Sequence, residues 1–431
     1  MSIPIILTNR VDSSLYRKYL KSAKSDLKDA TEKILPILRS VETEGDLALR
    51  RFTETFDGIQ LESIVWNPMD VQVHIDPDIE KAFLKAKENI ESFHRAQLRK
   101  DWSIQVDGNR LGVKHSPIPS LSVYAPGGTA LYPSSVLMGV IPAIIAGVPE
   151  IQLVTPPQKE GLPPILVWLA KILGIKRIIT VGGAQGIAAC AYGTESVPKS
   201  EFVVGPGNTY VAAAKSYLAG LGLIGIDSPA GPSEVCIIAD ESANPMWLAC
   251  DMLSQAEHGE DSSAILLTDS EALAKEVSRE LEKAFEERPK RLAMKKKAIY
   301  ENSAILVMPN IEECISFSNE LAPEHLEIQT KNPEQVFAGI LHAGSVFLGP
   351  YSPVAMGDYI SGTNHILPTA RGSRIYSSLG VDTFLKRVTF QEISRESLSR
   401  LYPYVKTMSE LEGLDEEHGT SVKVRTEGHQ H

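Results

Sequence analysis

Cysteines are scarce in this chain of 431 residues: there are four, and no two of them have Cys-x-x-Cys spacing. This scarcity argues against a disulfide framework and against a thiolate zinc site, and it favours a reducing, cytoplasmic setting. Each cysteine has apolar neighbours, so core packing is favoured over the role of an exposed nucleophilic thiol. The four are Cys190, Cys236, Cys250 and Cys314.

Long apolar runs and an excess of positive charge are also absent. The most apolar region, 136–154, is interrupted by Pro142, Pro149 and Glu150, so no membrane span is predicted. Residues 1–7 lack the basic stretch of a secretory signal. The formal net charge is −11, which argues against a nucleic-acid-binding surface. It leaves anionic ligands open, because helix N-termini and glycine-rich turns bind them without net positive charge.

What the chain does contain is a repeated alternation of strand-like, glycine-rich and helical segments over 121–220. Units of about 25–30 residues predict βα repeats and a parallel sheet with helices on both faces. A second series of the same kind covers 235–347. Amphipathic helices are predicted over 13–57 and 77–100, and further helix over 382–431.

Two glycine-rich turns follow predicted strands of the first series. They read Gly182-Gly-Ala-Gln-Gly186 and Gly205-Pro-Gly-Asn208, and neither completes the Gly-x-Gly-x-x-Gly dinucleotide fingerprint. The glycines alone are equally consistent with tight turns between strand and helix. Gln185 and Asn208 add polar side chains at the carboxyl ends of parallel strands, where open α/β sheets bind ligands. A nucleotide site is therefore the functional hypothesis for these turns.

A possible metal-binding pattern is Gln255 and His258, three positions apart in a helix predicted over 244–258. Residues at this spacing share one helix face. Taken alone, the two residues are more simply an ordinary surface pair. If Asp358 and His418 come close in space, the set suits zinc or another borderline cation, with positions left open for a substrate.

Acid/base chemistry is indicated by the adjacent residues Glu324 and His325. A carboxylate and an imidazole at a bend can face one cavity and move protons near neutral pH. The alternative is an exposed acid beside a core histidine. The loop that contains Asp358 also carries Asn364 and His365 between glycines and a proline, which favours a binding role over an ordinary connection.

These motifs occur in the order typical of histidinol dehydrogenases, and the chain closely resembles that family from about 25 to 425. Several of the motifs are five or six residues long, which makes chance agreement improbable. The series is Tyr-x-Pro-Gly-Gly (124–128), Gly-Gly-Ala-Gln (182–185), Gly-Pro-Gly-Asn (205–208), Ala-Gly-Pro-Ser-Glu (230–234), Ser-Gln-Ala-Glu-His-Gly (254–259), Ala-Pro-Glu-His-Leu (322–326), Gly-Asp-Tyr (357–359) and Asn-His-Ile-Leu-Pro-Thr (364–369).

The resemblance implies the last step of histidine biosynthesis, the four-electron oxidation of L-histidinol to L-histidine with zinc and two NAD. It implies Glu324 and His325 as the catalytic residues and a homodimer in which the C-terminal segment completes the partner's active site. The implied zinc ligands are Gln255, His258, Asp358 and His418; the NAD contacts are Tyr124, Gln185 and Asn208; the substrate contacts are Ser233, His365 and Glu412, together with His325 and the zinc ligands.

The expected fold is α/β, with two incomplete Rossmann-like parallel-sheet domains and small helical segments at both termini. The expected N-terminal segment is 1–23 and the C-terminal segment is 377–431, the latter with dimer contacts. The metal and catalytic residues are expected in a discontinuous domain formed by 24–125 and 235–376, and the NAD-binding turns in 126–234.

Two other functions are consistent with the same residues. One is a paralogous zinc- and NAD-dependent dehydrogenase that acts on another small polar alcohol. The residues Ser233, His365 and His418 argue against it, because a substrate without an imidazole would not need them. The other is a non-catalytic metal- or nucleotide-binding protein, in which Glu324 and His325 would have no role in proton transfer.

Overall fold

A computed structural model describes residues 2–8, 27–127, 131–229 and 231–427. Its strands, in chain order, are β1 (Ile5–Leu7), β2 (Val65–Trp66), β3 (Trp102–Val106), β4 (Asn109–Pro117), β5 (Ser120–Tyr124), β6 (Glu150–Val154), β7 (Ile178–Ile179), β8 (Phe202–Val204), β9 (Gly225–Ile226), β10 (Glu234–Ala239), β11 (Ser263–Thr268), β12 (Ala304–Val307), β13 (His325–Gln329), β14 (Ser345–Leu348) and β15 (Leu385–Glu392).

The α-helices of the described residues alternate with most of these strands. They are α1 (Leu27–Glu44), α2 (Asp46–Asp57), α3 (Pro77–Arg95), α4 (Pro133–Ala146), α5 (Pro164–Ile172), α6 (Gly183–Tyr192), α7 (Thr209–Gly220), α8 (Pro245–Ala256), α9 (Glu271–Glu287), α10 (Leu292–Lys297), α11 (Ile311–Leu321), α12 (Pro333–Phe337), α13 (Val354–Tyr359), α14 (Arg395–Glu412) and α15 (Thr420–Thr426). Short 3₁₀ or π turns occupy Pro68–Asp70, Ala298–Asn302, Gly372–Arg374, Val381–Phe384 and Asp415–Gly419.

Side-chain caps fix where several helices begin. The Oδ1 atom of Asn208 accepts hydrogen bonds from the backbone N–H groups of Tyr210 and Val211, at 3.0 and 3.1 Å, at the start of α7. Asn244 caps α8 in the same way. These caps satisfy N–H groups that have no partner within the helix. They therefore set the points at which the chain turns from loop into helix beside the sheets.

The first sheet has the strand order β2-β7-β6-β5-β8-β9. All its pairs are parallel except β2 with β7. Helices α1, α6 and α7 pack together in its core, through buried residues such as Ile34, Leu38, Ile187 and Leu218. Because β5, β6, β7 and β8 run parallel, the turns that follow them meet at one carboxyl edge.

The second sheet, of order β1-β12-β11-β10-β13-β14, is parallel throughout. Every residue of β10 and of β13 is buried. Continuous burial is what a parallel strand covered on both faces requires. Each of these strands nevertheless begins with an ionisable residue, Glu234 in β10 and His325 in β13, so the amino edge of this sheet contains buried charge-bearing groups.

Residues 98–117 and 384–427 belong to a separate compact unit. Within it, β15, β4 and β3 form an antiparallel sheet, and α14 packs against α15. The prediction of helix over 382–431 is wrong for 385–392, which form β15. Val388, Thr389 and Phe390 favour a strand, and pairing with the distant β4 supplies the hydrogen-bond ladder that local sequence cannot show.

The predicted fold class is confirmed by the two mainly parallel sheets and their flanking helices. The helices predicted over 13–57 and 77–100 are present as α1, α2 and α3, while 9–26 lie outside the described residues. Residues 5–7, predicted as part of a helical segment, instead form the edge strand β1. None of the described helices is both long and apolar enough to span a membrane.

The strand pairing bears on the expected domain organisation. Strands β2 and β5, which lie within 24–125, pair with strands of 126–234 in the first sheet rather than with those of 235–376. The domain boundaries as such stay a prediction. The cysteines are unpaired, and Cys190, Cys236 and Cys314 are buried, as expected for residues that pack in the core.

Candidate active site

The two residues predicted to move protons lie at the amino edge of the second sheet. His325 is the first residue of β13, Glu324 immediately precedes it, and each is 6% exposed. The neighbouring strand β10 is parallel, with Val235 paired to His325. This register brings Glu234, the first residue of β10, against both of them, although 90 positions separate it from Glu324.

Glu234 and Glu324 are joined by reciprocal hydrogen bonds. The backbone N–H of Glu234 donates to Oε2 of Glu324 at 3.0 Å, and the backbone N–H of Glu324 donates to the Glu234 carboxylate. Burial raises the pKa of Glu234 to about 7. Burial, and then the charges of Glu234 and Asp358, raise the pKa of Glu324 well above its usual range. Two carboxyl groups in this arrangement ionise at a higher pH than exposed ones, and each is a stronger base once ionised.

The imidazole of His325 is held in one tautomer by the backbone. Its Nδ1–H donates to the carbonyl oxygen of Glu234 at 3.1 Å. Its Nε2 is buried, has no hydrogen-bond partner among the described residues, and lies 3.9 Å from Oδ1 of Asp358. Burial lowers the pKa of His325 to about 4. At neutral pH the ring is therefore uncharged, with a lone pair on Nε2 that can accept a proton.

His365 is oriented by both of its ring nitrogens. Nδ1–H donates to the backbone oxygen of Asp358 at 2.8 Å, and Nε2 accepts from the hydroxyl of Ser135 at 3.1 Å. Burial lowers the pKa of His365 to about 4. Burial also raises the pKa of the Asp358 carboxyl to about 6, with no hydrogen-bond donor offsetting it. We refer to Glu234, Glu324, His325, Asp358 and His365 as the acid–base cluster.

The predicted pair Gln255 and His258 borders this cluster. Helix α8 ends at Ala256, so the expectation that both residues are helical is wrong for His258, which lies in the following turn. Gly259 and the polar residues after it favour ending the helix. The backbone N–H of His258 still donates to the oxygen of Gln255 at 3.2 Å, which keeps the two together.

Both side chains have properties that suit a ligand to a cation. Gln255 is 3% exposed, and the oxygen of its buried amide is the atom that could bind a cation. Burial lowers the pKa of His258, which favours the neutral imidazole that binds metals. A charge on His258 would lower the pKa of both His325 and His365, which places it within electrostatic reach of the acid–base cluster.

The described residues contain no group of three or more His, Cys, Asp or Glu side chains poised to hold a metal ion. The residues nevertheless fit zinc chemically: a buried amide in Gln255, a carboxylate without a donor in Asp358, and a neutral imidazole in His258. The predicted fourth ligand, His418, and the predicted substrate contact Glu412 are exposed residues of the other compact unit, at and just beyond the end of α14.

Glu234 is a residue of the acid–base cluster that the sequence alone did not indicate. The motif over 230–234 was interpreted through Ser233, which is half-buried and directly precedes β10. The signal in the sequence was a carboxylate at the head of the otherwise apolar run Val-Cys-Ile-Ile-Ala. A buried carboxyl group in that position needs hydrogen-bond donors, and these are the backbone N–H groups of Glu324, Ala370 and Arg371.

A second feature of the same unit is a cavity of about 850 Å³ at the carboxyl edge of the first sheet, here named the first-sheet cavity. It brings together Tyr124, Gln185 and Asn208, the three residues predicted to contact NAD. The Tyr124 hydroxyl accepts a hydrogen bond from the backbone N–H of Gly183 at 3.2 Å, and burial raises its pKa to about 12. The volume lies within the range of small-molecule and cofactor sites.

A buried ion pair fixes the turn that carries Asn208. Lys215 and Asp227 form a salt bridge with side chains only 3% and 7% exposed. Lys215 donates to the oxygen of Gly205 at 3.0 Å, and Asp227 accepts from the Gly205 N–H at 2.9 Å. Gly205 has φ of +110°, and a Cβ there would lie 2.2 Å from the oxygen of Tyr124. The turn therefore requires glycine at this position.

A cluster of buried carboxyl and imidazole groups with displaced pKa values, together with a large cavity at a sheet edge, is typical of an α/β enzyme with a small-molecule site. Comparison with known proteins identifies which one. The family model described as histidinol dehydrogenase matches residues 20–426. The chain belongs to the histidinol dehydrogenase family.

Individual relatives agree with this assignment. The chain is 74% identical to a histidinol dehydrogenase of Leptospira biflexa over 426 residues, 99% of each protein. It is 59% identical to that of Leptospira interrogans, over 99% of this chain and 100% of the relative. The crystal structure of histidinol dehydrogenase from Elizabethkingia anophelis superposes with a TM-score of 0.92 at 36% identity, covering 99% of this chain and 98% of the other. The predicted enzyme class, an oxidoreductase acting on alcohol and aldehyde, is confirmed.

Proposed function

We propose that this chain oxidises L-histidinol to L-histidine through histidinal, with transfer of four electrons to two NAD, as the last step of histidine biosynthesis. The observation that carries the proposal is the buried pair of Glu324 and His325, with an imidazole Nε2 free to take a proton and a carboxyl group beside it. Membership of the histidinol dehydrogenase family supports the choice of substrate.

In the first oxidation, Nε2 of His325 takes the proton of the substrate hydroxyl while hydride leaves the same carbon for NAD. The carbonyl of Glu234 holds Nδ1 protonated, so the proton can be accepted only at Nε2. The low pKa of His325 keeps this nitrogen free at neutral pH. It also makes the imidazolium short-lived, because burial disfavours the charge.

In the second oxidation, Glu324 takes a proton from the water that adds to the carbonyl of histidinal. The raised pKa of Glu324 makes its carboxylate a stronger base than an exposed one. His325 then removes the proton from a hydroxyl of the hydrated aldehyde as the second hydride leaves. A carboxylate and an imidazole with displaced pKa values suit two proton transfers that occur at different times.

The residues that would hold zinc are Gln255, His258, Asp358 and His418. When bound, zinc would hold the imidazole and amine of the substrate and so fix the position of the reacting carbon. Ser233, His365 and Glu412 would contact the substrate around it. The half-buried ring of His365 is already positioned by Ser135 and by the Asp358 backbone.

We further propose that the enzyme is a cytoplasmic homodimer in which the C-terminal segment of one subunit, with Glu412 and His418, completes the active site of the other. Family resemblance supports this assembly, as does the exposure of both residues in their own compact unit.

The deciding experiment is the stoichiometry of NADH formation from L-histidinol, measured together with metal content. We expect two NADH per L-histidinol, loss of activity on chelation, and recovery on addition of zinc. Fewer than two NADH per substrate would refute the four-electron reaction. Full activity in metal-free protein would refute the role of zinc.

A further inference from the structure

Glu327 is a fully buried carboxyl group that the proposed reaction does not use. It lies in β13 two positions after His325, so both side chains leave the strand on the same face of the sheet. Its Oε1 accepts a hydrogen bond from the backbone N–H of Val354 at 3.1 Å, and its Oε2 accepts one from Nε2 of Gln329 at 3.1 Å. A carboxyl group is costly to bury unless its hydrogen bonds are satisfied, as they are here.

A further partner of Glu327 is Asp251, on helix α8. The two carboxyl groups are hydrogen-bonded to each other, and Nε2 of Gln329 also donates to Oδ2 of Asp251 at 3.3 Å. A bond between two carboxyl groups requires a proton on one of them. Burial, and then the charge of Asp251, raise the pKa of Glu327 well above its usual range. Asp251 lies one turn before Gln255, so Glu327 links the strand that begins with His325 to the helix that carries a proposed zinc ligand.

The hydrogen bond from Val354 links Glu327 to a second proposed ligand. Val354 is the first residue of the short helix α13, and Asp358 lies four positions later on it. The backbone oxygen of Asp358 in turn accepts a hydrogen bond from the ring of His365. A shift of α13 would therefore move the Asp358 carboxylate and the His365 ring together. Glu327 contacts both helices that carry proposed zinc ligands, α8 and α13.

We propose that Glu327 is a positioning residue for the proposed zinc site: it fixes α8 and α13 against β13 and so places Gln255 and Asp358. Both of its oxygens are already bonded within the protein, so it acts without touching metal or substrate. Groups that orient metal ligands raise the affinity for the metal, because less order has to be imposed when the metal binds. This inference rests on the proposed zinc-dependent function and adds to it the residue that places two of the ligands.

The test is the dissociation constant of zinc, measured by competition with a chelator, for wild type and two variants of Glu327. Glu327→Gln keeps an oxygen for the Val354 N–H and supplies an amide N–H toward Asp251 in place of the shared proton. Glu327→Met fills a similar volume but leaves the Val354 N–H without an acceptor. We expect Glu327→Gln to bind zinc much as wild type does, and Glu327→Met to bind it about tenfold or more weakly.

A double-mutant cycle tests whether the effect passes through α13. Val354→Pro removes the N–H that Glu327 accepts, and proline is compatible with the first position of a helix. Pro353 is already extended, as a residue that precedes proline should be. Val354→Pro should weaken zinc binding, and adding Glu327→Met to it should weaken binding little further, because both changes break the same hydrogen bond. Val354→Ala, which keeps the N–H, is the matched control. Fully additive effects would contradict the proposal.

A second control separates positioning from general loss of stability. The side chain of Asn310 caps α11, a helix that carries no proposed ligand, by accepting from the backbone N–H of Glu313 at 2.8 Å. Asn310→Ala should lower the unfolding temperature and leave the dissociation constant of zinc unchanged. If Glu327→Met fails to fold, the comparison of Val354→Pro with Val354→Ala decides.

Two outcomes overturn different claims. If Glu327→Met loses stability but keeps the wild-type affinity for zinc, the assignment of Glu327 is wrong while the proposed function stands. If wild-type protein binds no zinc, the proposed metal is wrong and the assignment fails with it.

Discussion

The two candidate functional regions of this protein lie at opposite ends of their strands. The first-sheet cavity lies where β5, β7 and β8 end and the chain turns into helices. The acid–base cluster lies where β10 and β13 begin. Ligands of open α/β sheets usually bind at the carboxyl edge, so the first region follows the rule and the second does not.

The chemistry of the two regions differs accordingly. The cavity is lined mainly by backbone turns, aromatic rings and neutral amides, with Asp57 as its unpartnered carboxylate. The cluster consists of buried ionisable side chains whose pKa values are displaced toward the uncharged form. A bound cofactor needs a complementary surface and hydrogen-bond donors, and the turns between strand and helix provide both. Proton transfer needs desolvated acids and bases, which the buried ends of core strands provide.

The largest effect should come from His325→Asn, which removes the base used in both oxidations. We expect kcat to fall by about 10²- to 10⁴-fold, because general-base catalysis contributes that much. NADH binding and zinc content should stay at wild-type levels, since the first-sheet cavity and the predicted ligands are intact. His74→Asn, at an exposed histidine, is the matched control. Wild-type kcat in His325→Asn would show that the cluster does not perform the chemistry.

The next largest effect should come from Glu324→Gln, which should slow one of the two oxidations more than the other. Glu324→Gln cannot take a proton from water, so the second oxidation should slow by about 10²-fold or more while the first continues. A single-turnover experiment should then give one NADH per L-histidinol in place of two. Glu334→Gln, at an exposed glutamate on α12, should keep two. Equal slowing of both oxidations would contradict the assignment of separate roles to Glu324 and His325.

A smaller effect should follow from a substitution that strains the backbone turn beside the first-sheet cavity. Gly205→Ala combines strain at positive φ with a Cβ 2.2 Å from the Tyr124 oxygen. Gly222 also has positive φ, +72°, but a Cβ there meets nothing within 4 Å. Gly222→Ala should therefore cost about 1–2 kcal/mol of stability and leave the dissociation constant of NADH unchanged. Gly205→Ala should cost more and weaken NADH binding by about tenfold or more. Equal effects of the two variants would mean that the turn is not held against Tyr124.

The last effect concerns the pH dependence of stability and should leave catalysis and cofactor binding aside. The folded-state pKa of Glu234 is raised from 4.5 to about 7, so between these values the folded protein holds a proton that the unfolded chain has lost. Stability should therefore fall as pH rises through this window, by up to about 3 kcal/mol. Glu234→Gln should reduce the total fall by this amount, as measured by urea unfolding at pH 5 and pH 8, while Glu324 and Asp358, whose pKa values are also raised, still contribute the rest. If stability fell by the same amount in Glu234→Gln as in wild type, the fall would come from groups other than Glu234.

Much of the fold could be predicted from local sequence. The repeated strand, glycine-rich turn and helix indicated parallel sheets, and the structure confirms both sheets. Tyr124 is the last residue of β5, Gln185 and Asn208 come after β7 and β8, and all three line one cavity. What local pattern could not predict was β15, whose partner β4 lies more than 260 positions away, or the end of α8 before His258.

The sequence by itself determined the order of the βα units and the residue types available for catalysis. These follow from periodicity and composition, which act over a few neighbouring residues. Only the tertiary structure decided that Glu234 faces Glu324, that a backbone carbonyl fixes the tautomer of His325, and that Asp57 lines the cavity without a donor. Those properties depend on strand register and on burial, which arise when distant segments pack together and exclude water.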